Sequence, residues 1–340
     1  MLGPTATLET PAMRRLTSSF SLLAAVSLAV LWPILPRAAS AADTLRVGIA
    51  SPSMTFVPLF IARQTDRFAA ANLDVAITEF AGAARLHQAV LSGSIDVALG
   101  GGTDYAFLVK GAPEIAVAAL TERPLNFAVI VGNDPTITDL DDLRGRRIGV
   151  SGSGTLTYWL ARQLGVARGW GPSGAIPVAI GTARSVLAAS LQTGQVTAVI
   201  TEPALGYQLE TEHRGRVLAP VSAFVPEFMT NTAYAATALS RAHPGRLRRF
   251  LAAYLNAVAW LLDHRAETVA IAAQQTGITP AILAREYDAW LPMWSRDGRI
   301  RPDLLALVSQ ALMDSGLTSG HADLARYTTA NFLPAQPAAR

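Results

Sequence analysis

Val47-Gly48-Ile49 recurs 101 positions later as Ile148-Gly149-Val150. At the same offset, Leu91-Ser92-Gly93-Ser94-Ile95 recurs as Gln192-Thr193-Gly194-Gln195-Val196. Each copy runs apolar strand, small-residue loop, helix, glycine turn and second apolar strand. Two similar strand–helix units predict two α/β lobes facing each other, with the loops at the strand ends lining a gap suited to a small molecule.

Outward from the first copy, strands are expected at Leu45–Ala50, Asp74–Phe80, Ile95–Leu99, Glu114–Leu120 and Phe127–Val131. Helices at Pro58–Ala71 and Ala83–Leu91 lie between them, the first opened by proline. The polar turn Asp139–Gly145 introduces the second copy. Its strands are Arg147–Val150, Ile176–Ile180 and Val196–Ile200, and its helices are Gly154–Leu164 and Ser185–Gln192. This alternation predicts a mostly parallel sheet in each lobe. From Pro244 onward only helices are expected: Leu247–Leu262, with Phe250, Leu251, Tyr254, Leu255, Val258 and Leu261 on a core-facing stripe, then Pro280–Leu291 and Pro302–Met313. These helices are expected to brace the first lobe.

Composition narrows the function. Of 340 residues 51% are apolar and 16% charged, as in a globular chain. The net charge is +3, but three of the arginines, Arg14, Arg15 and Arg37, fall in an N-terminal stretch that reads as an export leader. The remainder is close to neutral and has no basic run, which argues against nucleic-acid binding. In the leader, Arg14-Arg15 precede an apolar run from Phe20 to Trp32, which is short for a membrane span. Ala38-Ala39-Ser40-Ala41-Ala42 then offers a cleavage site, with cleavage expected after Ala42. The paired arginines leave general and twin-arginine export both open, and Met13 is an alternative start. The chain has no cysteine, so it has no disulfide, no thiolate metal site and no lipid acceptor. A bacterial periplasm is the expected location.

Four loops carry small or hydroxyl residues where strands meet helices: Ser51–Phe56, Gly82–Ala84, Ser151–Thr155 and Gly181–Arg184. Exposed backbone N–H groups at such helix starts suit a small oxyanion. Asp104, Glu122 and Glu202 lie at strand ends. They either cap helices and meet solvent, or one of them receives an amino group on a ligand. Phe56, Tyr105, Tyr158 and Trp159 could line apolar walls or belong to the cores. Catalytic patterns are poor. Ser151–Thr155 lacks the lysine of a phosphate loop, there is no Gly-x-Ser-x-Gly elbow, and the five histidines have no metal-ligand spacing. His87 reads as a surface histidine. No catalytic residue, metal or cofactor is expected.

Several segments together resemble the nitrate/sulfonate/taurine type solute-binding proteins of ABC importers, also described as sulfonate-binding or thiamin-pyrimidine-synthase-like. They are Leu45–Ile49, Pro58–Ala62, Phe68–Val75, Leu91–Ala98, Asp142–Val150 and His243-Pro244. The resemblance implies a type II periplasmic-binding fold: two α/β lobes joined by two crossing segments, with extra C-terminal helices. Residues 43–126 and 233–340 would form lobe one and 127–232 an inserted lobe two, with crossings near Phe127–Val131 and Tyr234–Thr237. Carried over by position, the cleft would include Ser53, Thr55, Phe56, Gly82, Ala83, Gly102, Thr103, Ser153, Thr155, Thr182 and Glu202, to which Glu122 and Tyr158 are added. Gly82-Ala83-Ala84 departs from the serine or second glycine common in relatives. The eukaryotic enzymes of this group use a cysteine-rich motif that this chain lacks. The implied function is capture of a small organic anion, an alkanesulfonate or taurine, by a monomer that delivers it to an inner-membrane permease and its ATPase. A pyrimidine or thiamin precursor, an aromatic acid, a lyase on the same fold, and a sensor module are the alternatives.

Overall fold

The computed structural model describes residues 41–80 and 82–335. The expected export leader, residues 1–42, lies outside the described residues except for Ala41 and Ala42. No helix among the described residues is long and apolar enough to cross a membrane.

Ten strands follow in order: β1 (Asp43–Ile49), β2 (Leu73–Glu79), β3 (Val97–Gly101), β4 (Glu114–Ala119), β5 (Ala128–Gly132), β6 (Arg147–Val150), β7 (Ile176–Ala179), β8 (Ala198–Thr201), β9 (Gly215–Pro220) and β10 (Asn231–Ala236). They form two five-stranded sheets, β2-β1-β3-β10-β4 and β7-β6-β8-β5-β9. The two orders are the same, with β6 in the place of β1, β8 in that of β3, and β5 in that of β10. In each sheet the odd strand runs antiparallel to both neighbours: β10 beside β3 and β4, and β5 beside β8 and β9. Each odd strand is the first one laid down after the chain arrives from the other sheet. That arrival from the opposite end explains its direction.

The sequence repeat is a structural one. Gly48 in β1 and Gly149 in β6 sit where another side chain presses on the sheet. A Cβ at Gly48 would run into Leu86 Cδ1 and lie 3.0 Å from Phe80 Cε2. At Gly149 it would run into Ile180 Cδ1 and lie 2.9 Å from Val199 Cγ1. Within these strands, Arg46 Nη1 donates to the carbonyl of Gly93 at 2.6 Å and Arg147 Nη2 to that of Gly194 at 2.8 Å. The glycine turns into β3 and β8 are therefore tied to their sheets in the same way.

Several expectations are corrected. The helix expected over Pro58–Ala71 is two, Val57–Gln64 and Arg67–Ala70, because Asp66 takes a left-handed φ of 56°. Thr65 turns back there, and its N–H and hydroxyl both donate to the carbonyl of Ile61. The crossings expected near Phe127–Val131 and Tyr234–Thr237 consist largely of strand residues of β5 and β10. The chain passes between sheets over residues 120–127 and 221–230 instead. The C-terminal helices brace more than the first sheet. Pro244–Leu261 packs on sheet one. Pro302–Asp314, by contrast, joins an apolar cluster that contains Ala98 and Ala116 of sheet one together with Val131, Ile148 and Ile200 of sheet two.

Candidate functional site

Ser53 follows β1 and Glu202 follows β8, so each lies beyond the carboxyl end of a strand, one in each sheet. The Ser53 hydroxyl donates to Glu202 Oε1, and Ser53 Oγ accepts the N–H of Thr55 at 3.0 Å. A single buried serine thus caps its own turn and reaches the opposite sheet. Among the expected site residues this is the direct side-chain bond between the two sides.

Beside it lies a polar ladder across the two crossings. Asn126 Nδ2 donates to Thr55 Oγ1 and to Asn231 Oδ1, each at 3.2 Å, and Asn126 Oδ1 accepts from Thr230 Oγ1 at 3.1 Å. Thr121 and Thr230 hydroxyls meet at 2.7 Å, and the N–H of Asn231 donates to Thr121 Oγ1 at 2.9 Å. Thr121, Asn126 and Thr230 are buried. Sequence reasoning missed this ladder. Its trace in the sequence is an asparagine set among apolar neighbours in Leu125-Asn126-Phe127, and another between threonines in Thr230-Asn231-Thr232.

The other expected residues are placed as follows. Phe56 is buried in the sheet-one core. Gly102 and Thr103 are buried in the short turn after β3, where the N–H of Gly102 donates to the carbonyl of Thr230 at 2.8 Å. Gly82 is exposed and Ala83 half-buried at the start of the helix Ala83–Leu91. Glu122 is held by the second crossing's end and the C-terminal region. Its N–H donates to the carbonyl of Met293 at 2.8 Å, and its carboxylate lies 3.8 Å from Arg301 Nη1. Thr155 caps the helix Leu156–Ala167 by accepting the N–H of Tyr158, and Tyr158 is half-buried. Ser153 and Thr182 are exposed. Among the described residues, neither hydrogen-bonds to the opposite sheet.

Electrostatics concentrate at the start of the helix Pro203–Thr211. Glu202 stands just before it. Burial pushes the Glu202 carboxyl above the usual range, against the pull of the Ser53 hydroxyl and the charge of Arg184. Behind it, Glu286 on the helix Pro280–Trp290 is 0% exposed, and its Oε1 accepts the N–H of Ala204 at 2.7 Å. Its Oε2 has no hydrogen-bond partner. Burial, then the charge of Glu202, pushes the Glu286 carboxyl far above its usual range. Arg184, at the start of the helix Arg184–Gln192, makes no hydrogen bond or ion pair with another described residue. Glu286 and Arg184 were absent from the expected site. Glu286 lies more than eighty positions from Glu202 in the sequence and gives no local signal.

Two further placements bear on the sequence reading. His87, expected on the surface, is 3% exposed. Asp104 caps a short helical turn, as one of its expected roles had it, by accepting the N–H of Gly101, but it is buried rather than solvated and also meets His87. Among the described residues no group of His, Asp and Glu is set to hold a metal ion.

Residues 53–268 match the family described as NMT1/THI5 like. Three solved structures share the fold. The periplasmic aliphatic sulphonate binding protein SsuA from Escherichia coli is 18% identical with a TM-score of 0.71, over 84% of this chain and 97% of that one. The alkanesulfonate-binding protein SsuA from Xanthomonas axonopodis pv. citri, bound to MOPS, is 18% identical with a TM-score of 0.71, over 84% and 98%. The desulfurization enzyme DszB in complex with biphenyl-2-sulfinic acid is 19% identical with a TM-score of 0.64, over 86% and 97%. No curated protein matches the chain. With the paired sheets of a periplasmic binding protein and a family match over more than half its length, the chain belongs to the NMT1/THI5-like family.

Proposed function

We propose that the protein is the solute-binding component of an ABC importer. It captures a small organic anion, an alkanesulfonate or a taurine-like molecule, between two lobes formed by residues 43–126 with 233–340 and by residues 127–232. It acts in the periplasm after loss of its leader, as a monomer, and hands its solute to a membrane permease with its ATPase. The observation that supports this reading is the Ser53–Glu202 bond. It is the kind of contact that closes a gap between facing strand ends, and one that a solute can exchange for bonds of its own. A solute that touches both sides stabilises the closed state by its differential affinity. Arg184, which has no ion pair among the described residues, supplies a positive charge for the anionic end.

A second reading is favoured by Glu202. A carboxylate at the meeting point suits a ligand nitrogen, as in a pyrimidine, a thiamin precursor or the ammonium of taurine itself. An enzyme on this fold is the third reading, and DszB is a neighbour of that kind. A thermal-shift screen of the mature protein against taurine, ethanesulfonate, nitrate, aminopyrimidines and aromatic acids separates the three. A solute at 100 times its dissociation constant is expected to add about 2.7 kcal/mol of stability and to be recovered unchanged. Consumption of the compound would establish the enzymatic reading. If no class stabilises the protein, the proposal fails.

A further inference from the structure

Beneath the loop that ends β3, three ionisable side chains form a buried chain. His87 Nδ1 lies 3.0 and 2.9 Å from the two oxygens of Glu114, and Nε2 lies 3.1 Å from Asp104 Oδ2. Both ring nitrogens face carboxylate oxygens, which accept but do not donate when ionised. Both nitrogens therefore carry hydrogen, and the ring is an imidazolium. Burial opposes that charge. The bonds to Asp104 and Glu114 outweigh it and hold His87 up at about 9. Phe107 stacks on the ring with centroids 4.5 Å apart, and Tyr234 meets it edge-on at 5.3 Å.

This chain supports a loop. Asp104 Oδ2 also accepts the N–H of Gly101 at 2.7 Å. From the other side the Tyr234 hydroxyl donates to the carbonyl of Gly101 at 2.7 Å. The next amide, that of Gly102, is held by the carbonyl of Thr230 on the return crossing. There is no slack: a Cβ at Gly100 would run into the Asp104 carboxylate, and one at Gly102 into the carbonyl of Met229. The backbone that leads to Thr103 is pressed between a charged side chain and the crossing between sheets.

We infer that His87 is a positioning residue: through Asp104 it fixes the Gly101–Thr103 backbone against the return crossing, and so sets the sheet-one wall of the cleft. The consequence for the cleft rests on the solute-binding reading above, whereas the support of the loop does not.

Nitrogen-15 spectra of the whole mature protein test the support directly. Both ring N–H groups of His87 are expected at pH 7, and one of the two is lost as pH rises through about 9. Amide protection at Gly101 and Gly102, corrected for intrinsic rates, should fall with that proton by at least about tenfold. His87→Phe keeps the ring contacts but removes the hydrogen bonds, so its loss of protection should be confined to residues 100–104. His87→Gln, which restores one donor, should recover part of it and should abolish the pH dependence near 9. Taurine titrations complete the test, with binding by the His87→Phe variant expected about tenfold weaker than wild type. A single neutral tautomer at pH 7 overturns the inference. So does loss of protection spread evenly over the sheet in His87→Phe. If wild type binds none of the screened solutes while the loop amides behave as expected, the solute-binding reading fails and the loop support stands.

Discussion

Glu286 carries a carboxyl group to a place where burial outweighs the pull of the Ala204 N–H and of the Arg184 charge. One oxygen caps the helix Pro203–Thr211 through the N–H of Ala204 and the other is unpartnered. Its folded-state pKa is raised by burial and by Glu202. Between the unfolded value near 4.5 and that raised value, the folded state binds the extra proton, so stability falls as pH rises. Glu286→Gln keeps an acceptor for Ala204 and removes the titration. Denaturation at pH 7 should show it more stable than wild type by roughly 1–3 kcal/mol, with the advantage gone below pH 4. A variant equal to or weaker than wild type at pH 7 contradicts the upward shift at Glu286. His87 has its own window. Its raised pKa means stability that is whole below about 6.5 and is lost as pH rises through about 9, so His87→Gln should flatten that alkaline decline in denaturation midpoints. At this scale the sequence is half legible. Ser53 and Glu202 show themselves because each ends a predicted strand in a small-residue or Thr-Glu context. Glu286 and His87 do not, since burial and distant partners decide their states and neither is written in their neighbours.

The two copies of the strand–helix unit make a sharper test at the scale of the element. Gly48 and Gly149 occupy the same position in β1 and β6, and a Cβ at either would press on a buried side chain. Gly48→Ala and Gly149→Ala should therefore destabilise by similar amounts, about 1–3 kcal/mol each. Gly132→Ala at the end of β5 is the control. There the nearest atom to a Cβ is a carbonyl at an ordinary 3.6 Å, so its melting temperature should stay within a degree or two of wild type. Unequal effects at Gly48 and Gly149 would mean that the repeat is one of sequence without equal packing. Strands with apolar runs, such as β3, β6 and β8, are legible because burial on both faces demands them. β9 and β10 are not. β9 is half-exposed along its length and ends in Pro220, and β10 opens on Asn231, which belongs to the polar ladder. The broken helix near Asp66 is hidden for another reason. The sequence carries no glycine or proline at the break, and the turn depends on Thr65 bonding back to Ile61.

Across the whole molecule, the repeat makes the paired sheets legible, but the way the C-terminal helices reach across does not show in their amphipathic stripes. A stripe says that a face is buried and leaves its partner open. Two separate grips hold the sheet-two side. Arg285 stacks on Tyr207 at 3.7 Å and pairs with Glu210 at 2.8 Å, next to the Glu286 cap. Farther along, Asp314 accepts from Trp159 Nε1 at 3.1 Å and Gln163 Nε2 at 3.3 Å, while its carbonyl accepts from Arg162 at 2.9 Å. A hinge that opens the strand ends at Ser53 and Glu202 must strain these grips or carry the helix Pro302–Asp314 along with sheet two. Asp314→Ala distinguishes the two. It leaves the N–H of the buried Trp159 without its acceptor, a loss of about 1–3 kcal/mol. If the helix is a clasp, X-ray scattering should show the variant wider than wild type without solute and restored to the wild-type profile by a solute that stabilises the protein. A lower melting temperature with an unchanged profile would instead make the helix a passenger of sheet two, and resistance to opening would then lie with other contacts, Arg285, Glu286 and the Ser53–Glu202 bond among them.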